Sequence, residues 1–166
     1  MALLLLCACG GGKAGSATVD VPGISKESWA PVDFAFDSLD DRPVTSESTR
    51  GQVTVLVFVE TGSLASQAQV DFVVAMAKND GDRVHYAVVA LEPGDSRELV
   101  EVYRRSLGIT FPVAMADATT ASGGGPFGDV TVVPVTVVLD REGRLVWRLA
   151  GRVAKSAEIR AQMRGR

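Results

Sequence analysis

This chain has almost no cysteine and almost no histidine. It carries two cysteines, Cys7 and Cys9, and a single histidine, His85. The cysteines are one residue apart at the extreme N-terminus, outside any predicted core, so no disulfide can staple the domain. A cysteine-free folded domain is compatible with an oxidising compartment without requiring one. One histidine, two terminal cysteines and scattered carboxylates give no metal-ligand spacing, and no metal or cofactor is expected. No apolar run is long enough for a transmembrane helix. A net charge of −3 speaks against nucleic acid or anionic lipid as partners.

What remains is the composition of a globular domain: 166 residues, 46% hydrophobic and 22% charged. The organising stretch is VTVLVFVETGSLASQA, residues 53–68. Val53–Val59 is an unbroken, β-branched apolar run that reads as a strand buried on both faces of a helix-covered sheet. Glu60-Thr61-Gly62 follows as a turn, and a helix can begin at about Ser63. A buried strand feeding a helix N-terminus is where α/β proteins place chemistry, because unpaired N–H groups and a positive dipole end meet there.

Around this stretch the pattern is readable in order. Residues 20–31 form an irregular, Pro/Gly-containing lead-in. Residues 33–39 and 42–45 suggest an N-terminal hairpin turning at Asp40-Asp41. Residues 47–51 read as a short turn. Val70, Val73, Val74 and Ala77 have helical period, and Asn79-Asp80-Gly81-Asp82 stops that helix. Residues 84–91 are a strand containing His85, which reads as a satisfied core or sheet-end histidine. Residues 95–107 predict a helix capped by Asp95 or Ser96, with Leu99, Val102 and Tyr103 inward and Gly108 as C-cap. Residues 107–113 suggest a strand, residues 118–128 are glycine-rich with a flexible loop at Gly123–Gly125, and residues 130–139 suggest another strand. A turn at Asp140–Gly143 leads to a last strand over 144–150. An amphipathic helix over 154–163 closes the chain, with Val153, Ile159 and Met163 as core contacts. Trp29 and Trp147 read as packing residues, Arg148 and Arg152 as solvated, and Glu60 as an exposed strand-end residue or a helix cap.

Three stretches carry a family resemblance: the strand-to-serine turn of residues 53–68, Leu-Gly-Ile-Thr-Phe-Pro-Val at 107–113, and Val-Pro-Val-Thr-Val-Val-Leu-Asp at 133–140. The chain resembles the TlpA-type thioredoxin-like disulfide reductases (redoxins) from about Asp33 to Gly151. The resemblance implies an α/β thioredoxin-like fold, a central mixed sheet flanked by helices with an N-terminal β-hairpin. Pro134 stands where that fold carries a cis proline. Ser63-Leu64-Ala65-Ser66 stands where the family carries Cys-x-x-Cys. A hydroxyl is far less acidic than a thiol and cannot form the mixed disulfide, so Ser63 and Ser66 cannot run disulfide exchange or peroxidatic chemistry. A hydrolase role for Ser63 would need an oriented base within reach, and the stretch lacks the G-x-S-x-G form. Both serines read instead as helix N-caps. The family's peptide groove maps onto Thr61, Gly62, Ser63, Leu64, Val133 and Pro134. The expectation is therefore a binding or assembly module for an extended peptide or an envelope protein. The alternative is a redox protein using a partner's cysteine, and a third class is a purely structural envelope domain.

Leu6-Cys7-Ala8-Cys9 resembles a bacterial lipobox, with Cys9 as the lipidated residue. No basic n-region precedes it, which places the true start upstream of Met1. On this reading residues 1–19 are a signal remnant and Gly/Ala/Ser-rich tether, residues 20–166 are the thioredoxin-like domain, and the protein is lipid-anchored in the cell envelope facing the periplasm or extracytoplasmic space.

Overall fold

The computed structural model describes residues 30–164. The tether, Cys7, Cys9, Trp29 and nearly all of the lead-in lie outside the described residues. Seven strands form one mixed sheet in the order β2-β1-β5-β4-β3-β6-β7. They are β1 Ala35–Ser38, β2 Val44–Thr45, β3 Val53–Val59, β4 Val84–Ala90, β5 Val113–Met115, β6 Val135–Leu139 and β7 Leu145–Ala150. The helices are α1 Ser46–Thr49, α2 Leu64–Asp80, α3 Arg97–Ser106, α4 Ala118–Ala121 and α5 Ser156–Met163.

β3 is an interior strand of this sheet, between β4 and β6. It runs parallel to β4 and antiparallel to β6, and all seven of its residues are buried. Its odd-numbered valines meet Val70, Val73 and Met76 of α2, Val100 and Tyr103 of α3 and Ile159 of α5. Leu56 and Phe58 face the other way, toward Phe34, Phe36, Val44, Phe127 and Val130. Burial at this level stabilises by about 1.5–3 kcal/mol per large apolar side chain, so this strand anchors both halves of the core. The expected N-terminal hairpin is present as β1 and β2, and β1 also pairs with β5.

Several local readings are corrected. Of residues 47–51, Glu47–Thr49 belong to a one-turn helix, α1, because Thr45 and Ser48 form a reciprocal capping box, and only Arg50-Gly51 remain as a turn. A 3-10 turn at Gly94–Ser96 opens α3, and Ser96 makes no side-chain cap. Leu99 and Val102 point outward, 52% and 49% exposed, and Val100 takes the inward place beside Tyr103. Periodicity alone could not tell the 99/102 row from the 100/103 row. Of the 107–113 stretch only Val113 is in a strand, β5 running Val113–Met115, since Gly108 (φ +62°) ends α3 in a left-handed turn. The glycine-rich stretch starts with α4, capped by Asp117 on the Thr120 amide. Ala154 is fully buried ahead of α5, whereas Val153 is only half-buried.

Candidate functional site

The carboxyl ends of β3 and β4 and the start of β6 meet at one end of the sheet. Register places Phe58 opposite Val135 and Val59 opposite Ala90, so the chain leaving β3 at Glu60 passes beside Val133-Pro134 on one flank and Leu91-Glu92 on the other. Open α/β sheets offer their ligand crevice at the carboxyl ends of strands. Thr61, Gly62, Ser63, Leu64, Val133 and Pro134 are thus brought to the same end. Cys9, the remaining residue of that set, lies outside the described residues.

The turn is fastened at several points. The Ser63 amide donates to the Glu60 carbonyl at 3.1 Å, and the Gln67 side chain donates to the Thr61 carbonyl at 3.3 Å. Ser63 is the N-cap of α2, its Oγ accepting from the Ser66 amide at 3.2 Å. Ser66 is fully buried, and its Oγ accepts from the Glu60 amide at 3.4 Å. Both hydroxyls therefore hold the turn and helix start together. Leu64, the first residue of α2, stands 80% exposed.

His85 cannot serve Ser63 as a base. It pairs with Thr54, five residues before the end of β3, a separation of about 16 Å along the strand. It is half-buried, and burial first, then the Arg42 charge, pulls its imidazole below the ordinary histidine range. Its Nε2 has no partner among the described residues.

Two further residues join the site, Glu92 and Arg148. Glu92, just past β4, accepts the Thr61 amide with one carboxylate oxygen. Arg148, read as solvated, reaches instead from β7 to the Phe127 carbonyl at 2.8 Å and to the Asp129 carbonyl. It thereby pins the loop that leads into Val133. Desolvation of this half-buried guanidinium lowers its pKa, and the nearby Asp129 carboxylate opposes that fall. An arginine within a last strand gives no sequence signal of such a role; Glu92 could have been suspected from its place at a strand end.

The Val133–Pro134 peptide bond is cis. Val132 and Pro134 offer their carbonyls to the Gly151 amide, both at 3.0 Å, while the Val133 amide and carbonyl take no backbone partner among the described residues. Val132 is 59% exposed beside them.

Solved structures sharing this architecture include a DsbF homologue from Corynebacterium diphtheriae, at TM-score 0.70 and 17% identity over 86% of this chain and 94% of that one. Another is a thiol:disulfide interchange protein of the thioredoxin family from Chlorobium tepidum, at TM-score 0.67 and 21% identity over 81% and 92%. A third is a secreted disulfide oxidoreductase from Mycobacterium tuberculosis, at TM-score 0.63 and 14% identity over 83% and 96%. The chain has the thioredoxin-like fold. At these identities the likeness is one of fold. No protein-family model and no curated protein matches the sequence. Within the thioredoxin-like frame, the helix start after β3 carries hydroxyls, and the described residues contain no cysteine.

Proposed function

We propose that this thioredoxin-like domain binds an extended segment of a partner protein along the Val133 edge, without thiol–disulfide exchange. The observation that carries the reading is the pairing of two features at one sheet end. The serines are committed to capping, with Ser63 Oγ on the Ser66 amide and Ser66 Oγ on the Glu60 amide. The Val133 amide and carbonyl beside them have no backbone partner among the described residues. An unpaired main-chain edge is what strand addition uses, with flanking side chains giving selectivity. Exposed Leu64 and Val132 supply apolar contacts for such a segment.

The same reading places the domain outside the cytoplasm. Among the solved neighbours are proteins described as secreted, from Mycobacterium tuberculosis and Corynebacterium glutamicum. No helix among the described residues is long and apolar enough to cross a membrane. Attachment falls to a lipid on Cys9. The alternative in which a partner lends its cysteine has no structural observation in its favour.

Two measurements test this. Insulin reduction by the full chain with dithiol reductant is expected to stay at background, and robust turnover would overthrow the non-redox reading. An NMR titration with extended peptides is expected to move the Val133 and Leu64 amides first; shifts confined to other faces would reject the edge.

A further inference from the structure

The segments that build this end of the sheet are acidic and carry no lysine or arginine. Residues 51–77, 84–96 and 130–135 contain Glu60, Asp71, Glu92 and Asp95 and no lysine or arginine, and their one histidine, His85, lies at the opposite end of β4. The nearby arginines are engaged elsewhere. Arg97 binds Asp37 at 2.7 Å, Arg148 binds the loop carbonyls, and Arg152 binds Glu158 at 2.7 Å.

Two of the buried polar atoms without a hydrogen-bond partner among the described residues are Glu92 Oε2 and the Tyr103 hydroxyl. Tyr103 is only 6% exposed. Its ionisation is pushed well up, first by burial and then by the Glu92 and Asp71 carboxylates. The other oxygen of Glu92 is fixed on the Thr61 amide at the serine turn. A carboxylate whose second oxygen is shielded from water is poorly screened, so its pull on an arriving cation is stronger than that of a fully solvated acid. Orphaned polar atoms of this kind call for an explanation, and a ligand donor is one.

We propose that the segment taken by this edge carries a lysine or arginine next to a large apolar residue. The cation is received by Glu92, with exposed Glu60 at the mouth, and the apolar residue rests on Leu64 and Val132. This specificity rests on the Val133-edge reading. Charge complementarity of this sort governs selectivity and arrival rate more than total affinity.

The test is an NMR titration of the full chain with three capped six-residue peptides of alternating valine and threonine. They differ only in one central residue: lysine, glutamine or glutamate. The lysine peptide is expected to bind about tenfold more tightly than the glutamate peptide, with the preference shrinking at high salt. Glu92→Gln keeps an acceptor for the Thr61 amide while removing the charge, and is expected to erase most of that preference. Equal binding of all three peptides by the wild type overturns the cation specificity while the edge stands. So does a preference unchanged in the well-folded Glu92→Gln, Glu60→Gln double variant. If no peptide moves Val133 or Leu64, the edge reading itself falls. The wild-type peptide series gives the answer even if the variants fold poorly.

Discussion

The Tyr86 hydroxyl donates to Asp80 Oδ2 at 2.6 Å, deep in the molecule, while Arg160 donates to the other oxygen of the same carboxylate at 2.9 Å. One buried acid thus ties the end of α2 to β4 and α5. Burial alone would raise the Asp80 pKa. The Tyr86 and Arg160 hydrogen bonds and the arginine charges outweigh that and hold it below the ordinary value of 3.8.

The sign of the pH effect follows. A carboxylate whose pKa is lower in the folded state contributes stability above its unfolded pKa and loses it as pH falls through the folded value. Asp40, brought down to about 2 chiefly by its hydrogen bond from Arg42, acts in the same direction. The melting temperature is expected to decline as pH drops below about 4. Asp80→Asn is expected to cost about 1–3 kcal/mol at neutral pH and to flatten that decline. A variant with the wild-type slope would remove Asp80 from the explanation.

Gln69 is the second internal tie. It is fully buried in α2, its Oε1 accepting from the Ala154 amide at 2.5 Å and its Nε2 donating to the Ala154 carbonyl at 3.3 Å. A side-chain amide here completes the hydrogen bonding of a buried backbone unit. Gln69→Leu preserves bulk but strands both Ala154 groups, at about 1–3 kcal/mol each. Chemical denaturation would measure it; a loss below about 0.5 kcal/mol would mean that the segment rearranges to find other partners.

Arg148 and Phe127 form a third tie, at the loop before Val133. Phe127 is buried among Phe34, Phe36 and Phe58, with ring centroids 5.1–6.1 Å away. Phe127→Ala is expected to cost about 3–5 kcal/mol as a core cavity. Arg148→Met keeps the stem but frees the Phe127 and Asp129 carbonyls, and is expected to cost less in stability than Phe127→Ala while weakening peptide binding. Unaltered binding in a well-folded Arg148→Met variant would separate the loop from the site.

Restoring sulfur tests the turn itself. In Ser63→Cys, Ser66→Cys the first thiol would replace a hydroxyl that already accepts the Ser66 amide at the helix start. Its pKa is expected below the usual value of about 8.5, with some insulin-reducing activity gained. Alkylation rate against pH reads the pKa; an ordinary thiol would show that the helix terminus no longer activates that position.

Much of this was legible because the chain is locally consistent. The seven-residue apolar run of β3 has no competing reading, and Ser63 caps α2 because serine followed by a regular apolar stripe is a helix start. Asp140-Arg-Glu-Gly143 makes its hairpin turn for the same kind of reason. The errors came where tertiary contact decides. Leu99 and Val102 lost to Val100 because sheet contact fixes the rotation of α3, and pattern leaves two rows open. Arg148 was misread because its partners are backbone carbonyls about twenty residues away, which composition does not reveal. Gln69 sat unremarked inside a helical stripe, since a buried amide is recognised only by the groups it completes. Of the site, the serine turn and Val133-Pro134 were readable from motif spacing. Glu92 joined it only through the fold.

The hydrogen bond between Ser63 and Ser66 has a kinetic consequence. A thiol at that turn could capture its partner covalently and discharge it through a resolving thiol, making release a chemical step set by the surrounding redox potential. Hydroxyls allow neither capture nor discharge. On the proposed function, occupancy of the Val133 edge would then depend on partner concentration and dissociation rate alone, and would be the same in an oxidising or a reducing medium. Residence time would be set by how well the bound segment fits.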